Sequence, residues 1–289
     1  MTVAFLSHSD CGRHDTGWGH PEHVGRIRAI PRALREDPEL MGALVHAEGR
    51  HANEDELALA HDPAYVRAVK KLAEAGGGQL DADTVASEGS WDAATAGAGC
   101  VLDAVDMTMD GRAQRAFCAI RPPGHHALRD RAMGFCLFGN IAIAAHYART
   151  RHALERVLIV DWDVHHGNGT QALVEHEPDV HFVSMHQSPW YPGTGVAADR
   201  GPHQNVWNVP MRASLPPQTY VDAFLHAVDD ATSGFTLEPQ HMALLTTEIV
   251  TRATSWCGGR VVSALEGGYA PERLGQACVA HMRALAETK

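Results

Sequence analysis

Two carboxylates and two imidazoles crowd the stretch Asp161-Trp-Asp163-Val-His165-His166-Gly-Asn168-Gly. It follows Val157-Leu-Ile-Val160, a continuous apolar run of the kind that forms a strand buried on both faces of a parallel sheet. Side chains alternate along a strand, so Asp161, Asp163 and His165 are expected on one side. A carboxylate and an imidazole converging there are ligands that suit a zinc-type ion. The carboxyl ends of parallel strands are also where open α/β sheets bind ligands. The plainer alternative is a polar strand end with solvated side chains, but acids at this density beside a buried strand need a charge partner.

A second chemical focus follows the apolar run Ala116-Phe-Cys-Ala-Ile120, which enters Arg121-Pro-Pro-Gly-His125-His126. The prolines stiffen this turn, and paired imidazoles on a rigid loop after a buried strand suit acid/base work. Two surface histidines are the simpler reading. Gly134-Phe135-Cys136 comes next, and Phe135 is equally consistent with plain core. Trp190-Tyr191-Pro-Gly-Thr-Gly195 either lines a cleft or anchors a loop. The last apolar run, Arg260 to Leu265, ends in Glu266-Gly-Gly-Tyr269, which sets a phenol at a strand end, either as a functional hydroxyl or as a packing ring.

The elements that must position these groups alternate in type. Val3–Ser7, Ala116–Ile120, Val157–Val160, Val180–Ser184, Asn205–Pro210 and Arg260–Leu265 read as strands. Helices are expected over 21–34, 55–60, 63–75, 90–109 (with Ser90 as cap), 141–149, 218–229, 238–255 and 271–288, and the segments 35–54 and 80–89 read as loops. Such alternation argues a three-layer α/β/α sandwich with a mainly parallel central sheet. No repeat, linker or low-complexity segment interrupts it, so 1–289 is read as one domain.

The chain has 289 residues, 45% of them hydrophobic, and a formal net charge of −11. That is ordinary for a soluble domain, and the acidic balance disfavours nucleic acid as a general partner. The six cysteines are scattered without a CxxC pair, as in a reduced cytoplasmic protein. No signal peptide is expected, and no apolar run is long enough to span a bilayer. Several of the 20 histidines sit beside Asp, Gly and Pro, and the unperiodic loop from His8 to His23 is dense in them. A loop of that kind is commonly functional or disordered.

Taken in order, Arg121-Pro-Pro-Gly-His125-His126, Gly134-Phe135-Cys136, Asp161-Trp-Asp163-Val-His165-His166-Gly-Asn168-Gly, Tyr191-Pro-Gly-Thr-Gly and Glu266-Gly-Gly-Tyr269 resemble the motifs of the histone deacetylase superfamily. The resemblance is to its class II-like bacterial members and the acetylpolyamine amidohydrolases. His20-Pro-Glu-His23 and His61-Asp-Pro-Ala-Tyr65 also fit, so it covers nearly the whole chain. It implies a zinc-dependent deacylase acting on N-acetyl amides of lysine side chains, polyamines or related amines. Asp163 and His165 would be metal ligands. His126 would be the general base, His125 its partner, and Asp161 and Asn168 the groups orienting them. Tyr269 would stabilise the oxyanion. Gly134, Phe135 and Tyr191 would line a tunnel, with Asp83 at its rim. A monovalent cation such as K+ would sit behind Asp161 and Asp163, near Ser184. The expected partner is a small acylated amine or an acetyl-lysine peptide. Oligomeric state is not readable.

One departure stands out. The family carries its third zinc ligand on a late strand entering Ser-Ala-Gly-Phe-Asp, and that run is absent. Setting Phe224 on the family's Phe puts Leu225 at the ligand position, and setting Phe235 there puts Thr236. Neither is a good zinc ligand. Asp229 or Asp230 would have to complete the site. The alternative is a catalytically impaired relative that binds acylated ligands or a protein partner. The missing strand should leave unpaired sheet edges or draw its neighbours together. A binuclear manganese site of the arginase type would need further carboxylates on the late strand, which instead ends in Glu-Gly-Gly-Tyr.

Overall fold

The computed structural model describes residues 2–230 and 239–288, the side chains at 217, 224–226, 228–230 and 239–241 excepted. Four strands form one parallel sheet in the order β2 (Leu44–Glu48), β1 (Val3–Ser7), β5 (Arg115–Cys118) and β9 (Val261–Ala264). Three more, β6 (Val157–Asp161), β7 (Val180–Gln187) and β8 (Val206–Met211), form a second parallel set. Alternate residues face opposite layers, as the pleat requires. Val3, Phe5 and Phe117 pack against α1 (Gly25–Arg35), α2 (Pro38–Ala43), α9 (Pro239–Cys257) and α10 (Pro271–Glu287). Ala4, Leu6, Ala116 and Cys118 pack the other way, against α4 (Pro63–Glu74), α5 (Ser90–Met109) and α6 (Asn140–His152). The result is the three-layer α/β/α architecture with a parallel central sheet.

Helix α5 is buried along most of its length, and small residues make that possible. A Cβ on Gly99 would lie 2.0 Å from the Arg50 carbonyl oxygen, so only glycine lets the helix lie this close to the loop after β2. Ser90 begins α5 without capping it. Gly89 holds the cap position, and the Ser90 hydroxyl accepts from the Ser87 amide at 2.6 Å instead. Strand β2 and the antiparallel hairpin β3 (Gly77–Asp81) with β4 (Thr84–Ser87) stand where loops were expected. Both are short, and β2 is largely exposed, so neither has an apolar pattern to read. Helix α1 starts at Gly25, later than expected, because His20 to His23 stay in the loop.

Among the described residues no strand lies between β9 and β6. Each therefore has an edge without a strand partner. All four β9 residues are only half-buried, and Leu158 of β6 is 36% exposed, although the apolar runs predict burial on both faces. At their carboxyl ends the two are tied by the Gly267 amide, which donates to Asp163 Oδ2 at 3.0 Å. The short helix α3 (Glu54–Leu57) follows an Asn53 capping box, and α7 (Asn168–Val174) and α8 (Pro217–Asp230) complete the helices. No described helix is long and apolar enough to cross a membrane.

His61 shows how burial selects a protonation state. It is fully buried before α4. Its Nδ1–H donates to the Leu128 carbonyl at 2.9 Å and its Nε2 accepts from the Gly139 amide at 2.8 Å. Burial pushes its pKa from 6.5 down to about 4. The unfolded chain therefore binds the proton first, and stability falls as pH drops from about 6.5 to about 4. A tenfold change in proton affinity is worth about 1.4 kcal/mol, so this group contributes on the order of 3 kcal/mol. A urea titration series should show that loss in the native chain. His61→Gln should be less stable at pH 7 but lose less on acidification. Parallel pH curves would refute the assignment.

Candidate active site

The histidine pair sits in the loop after β5. His125 Nδ1 donates to Asp161 Oδ2 at 2.9 Å. Burial disfavours its charged form, but the Asp161 and Asp163 carboxylates outweigh that and raise its pKa to about 10. His126 is the opposite case. Its Nδ1–H donates to Asn168 Oδ1 at 2.7 Å, because the Asn168 amide nitrogen points at the Met133 sulfur. Burial and the neighbouring His125 charge push its pKa down to about 2. Two rings with centroids 4.0 Å apart thus hold different states: His125 charged, His126 neutral with a bare Nε2.

Strand β6 ends at Asp161, so strand alternation does not place Asp163 and His165. A tight turn does: the Asp163 amide donates to Asp161 Oδ1 at 3.0 Å, and the His165 amide donates to Asp163 Oδ1 at 2.9 Å. His165 Nδ1 lies 3.0 Å from Asp163 Oδ1, and Trp190 Nε1 lies 3.2 Å from His165 Nε2. An indole only donates. His165 Nε2 therefore accepts, and Nδ1 carries the proton toward Asp163. Carboxylate and imidazole are zinc donors, and their spacing suits one ion. No third His, Cys, Asp or Glu joins them at ligand distance among the described residues. The side chains of Asp229 and Asp230, the expected completing ligands, lie outside the described residues, as do those of Phe224 and Leu225 and all of Phe235 and Thr236.

Two rings border the pair. Tyr191 packs edge-on to His126 (5.1 Å) and His165 (5.9 Å), and Phe135 packs edge-on to Tyr269 (5.7 Å). The Tyr269 hydroxyl has no hydrogen-bond partner among the described residues, and burial followed by the Asp163 charge raises its pKa. Ser184 pairs with Asp161 across β6 and β7, and its hydroxyl accepts from the Gly167 amide at 3.3 Å.

Asp83 has a structural duty at the rim. Its Oδ1 accepts from the Gly134 amide (3.2 Å) and the Thr84 hydroxyl (2.8 Å), while Thr84 accepts from the Phe135 amide (2.9 Å). These contacts hold Gly134 and Phe135 at φ of +57° and +69°, a left-handed pair that aims the Phe135 ring. A Cβ on Gly134 would lie 2.4 Å from His126 Cδ2. Gly134→Ala should therefore displace the His126 ring and lower turnover at least about tenfold, since small misplacements of reacting groups are costly. A steady-state assay that shows no change would refute it.

Sequence reasoning missed the frame behind these residues. Glu22, Arg26 and Arg121 are fully buried together, and Glu22 Oε1 accepts from Arg121 Nε at 2.7 Å and Arg26 Nη1 at 2.8 Å. Arg26 also donates to the carbonyls of Glu266, Gly267 and Gly268, and lies 4.8 Å over the Tyr269 ring. Glu266 Oε2 accepts from the amides of Gly124 (2.6 Å) and His125 (3.0 Å), and burial raises its pKa to about 7. Glu22, Arg121 and Glu266 do lie inside the recognisable motifs, but nothing in their spacing shows that they meet.

The chain matches the histone deacetylase domain family over residues 20–236. It is 37% identical over 278 residues to the histone deacetylase-like amidohydrolase of Pseudomonas aeruginosa, covering 87% of this chain and 73% of that one. It is 32% identical over 324 residues to the polyamine deacetylase HDAC10 of Homo sapiens, covering 96% and 47%. The crystal structure of the HDA15 HD domain superposes with a TM-score of 0.88 at 31% identity, covering all of this chain and 89% of that one. By its motifs, its fold and these likenesses, the chain belongs to the histone deacetylase family, a family of deacetylases and amidohydrolases.

Proposed function

We propose that this chain hydrolyses the acyl amide of an acetylated amine, either a lysine side chain in a peptide or a small polyamine, in the cytoplasm. The observation that carries the reading is the split His125–His126 pair beside Asp163 and His165. Neutral His126, oriented by Asn168, presents a bare Nε2 that takes a proton from the attacking water and returns it to the leaving amine. Charged His125, held by Asp161, keeps the pair polarised. The Tyr269 hydroxyl donates to the oxyanion as the carbonyl becomes tetrahedral. Phe135 and Tyr191 flank the alkyl chain, and the second Asp83 oxygen is left for the substrate backbone. Zinc, when bound by Asp163, His165 and a third donor from Asp229 or Asp230, would polarise the carbonyl and acidify the water. A K+ ion behind Asp161, Asp163 and Ser184 would steady their charge.

A second reading rests on a specific observation. Among the described residues no third His, Cys, Asp or Glu stands at ligand distance from Asp163 and His165. With no third ligand the chain would bind acylated amines without cleaving them. Zinc stoichiometry by elemental analysis, with turnover of acetyl-lysine peptides and acetylpolyamines on the same sample, separates the two. About one zinc bound here per chain with turnover supports hydrolysis. No zinc at this pair, no turnover and saturable ligand binding support the second reading.

A further inference from the structure

Among the described residues, only two sets of three donors lie close enough to hold an ion, and neither contains the Asp163–His165 pair. One set, His125, Cys136 and Glu266, belongs to the site above. The other is His8, Asp10 and His51, which the amide site does not use.

These residues come from adjacent strand ends. His8 leaves β1, Asp10 lies in the 3₁₀ turn Ser9–Gly12, and His51 follows β2. Because β1 and β2 pair in parallel, both exits open at the carboxyl edge of the sheet. His51 Nε2 lies 3.0 Å from Asp10 Oδ2, and His8 Nδ1 lies 3.8 Å from the same oxygen. Glu48, the last residue of β2, places Oε1 3.9 Å from His8 Nε2.

The hydrogen bonds set the state of His51. The Thr95 hydroxyl has a single hydrogen, which goes to the Trp91 or Asp92 carbonyl at 2.9 or 3.1 Å. It therefore accepts from His51 Nδ1–H at 2.8 Å. In the neutral ring Nε2 is then a bare lone pair facing a carboxylate oxygen. Those two atoms repel unless a metal ion or a second ring proton joins them. A metal-bound imidazole characteristically donates its other N–H to an oxygen, and Thr95 supplies that oxygen.

We propose that His8 Nδ1, Asp10 Oδ2 and His51 Nε2 bind a zinc-class divalent ion, with water in the fourth position. Two nitrogens and one oxygen suit zinc rather than Ca2+ or Mg2+, which take oxygen ligands. On binding, His8 Nδ1 gives up the Asp10 amide from which it accepts at 3.1 Å. The side chains are 14%, 25% and 39% exposed, so an ion reaches them without unfolding. Bound there, it pins the root of the His8–His23 loop, whose His20 packs edge-on to Phe135.

The test uses the full chain carrying His165→Ala, which disables the Asp163 pair. Zinc content after equilibrium dialysis and the visible absorbance of added Co2+ are read together. One bound equivalent is expected, weakened roughly 10–100-fold by Thr95→Val and abolished by Asp10→Asn or His51→Gln. Circular dichroism checks that each variant folds. No zinc in the His165→Ala chain, or zinc undiminished by His51→Gln in a folded chain, would overturn the proposal and leave a protonated His51 paired to Asp10. Either result stands apart from deacylase turnover, which the wild-type assay reports.

Discussion

Replacing Glu22 with glutamine should cost the fold about 3–5 kcal/mol, the usual penalty for removing one partner of a buried charge cluster. Glu22, Arg26 and Arg121 are all fully buried, so neither guanidinium can turn to water when the carboxylate is lost. Burial alone would raise the Glu22 pKa, yet the Arg121 and Arg26 charges hold it below the usual value, which shows that attraction outweighs desolvation. Glutamine keeps an oxygen acceptor but leaves two neighbouring cations uncompensated. Urea unfolding should show a lower midpoint with an unchanged slope. A change under about 1 kcal/mol would mean that the carbonyls around Arg121 and Arg26 carry the cluster without the anion. Activity should fall further than stability does. Arg26 grips the Glu266–Gly268 backbone that leads to Tyr269, and Arg121 opens the turn that leads to His125.

Tyr269→Phe should remove turnover by about 10²–10³-fold while leaving metal content and fold unchanged, as loss of one oxyanion donor does in other hydrolases. The ring is held independently of its hydroxyl, edge-on to Phe135 and under Arg26, so phenylalanine keeps the packing. Only the donor is lost. A fall confined to kcat, with the affinity for acetylated amines preserved, is the expected pattern. Unchanged turnover would show that the hydroxyl does not meet the reacting carbonyl. In a chain that binds acyl amines without cleaving them, this variant would bind as the wild type does.

Local sequence determined much of this protein. Apolar runs such as Ala116–Ile120 and Val180–Ser184 mark central parallel strands because both faces are covered. The turns after β5 and β6 are written in Pro, Gly and short-range Asp contacts, so the ordered motifs identify the family before any contact is known. The absence of the family's Ser-Ala-Gly-Phe-Asp run is legible in the same way, and among the described residues β9 and β6 each have an edge without a strand partner. Tertiary structure decided the rest. That His125 is charged depends on Asp161, brought in from a different strand, and that His126 is neutral depends on burial beside that charge, with Asn168 from a different helix orienting its ring. That Glu22, Arg26 and Arg121 form one buried cluster, and that His8 and His51 meet around Asp10, depends on which strands are neighbours. Residue type and spacing encode backbone shape over a few residues. Protonation state and charge pairing are set by burial and by partners distant in the chain, and these exist only once the layers have packed.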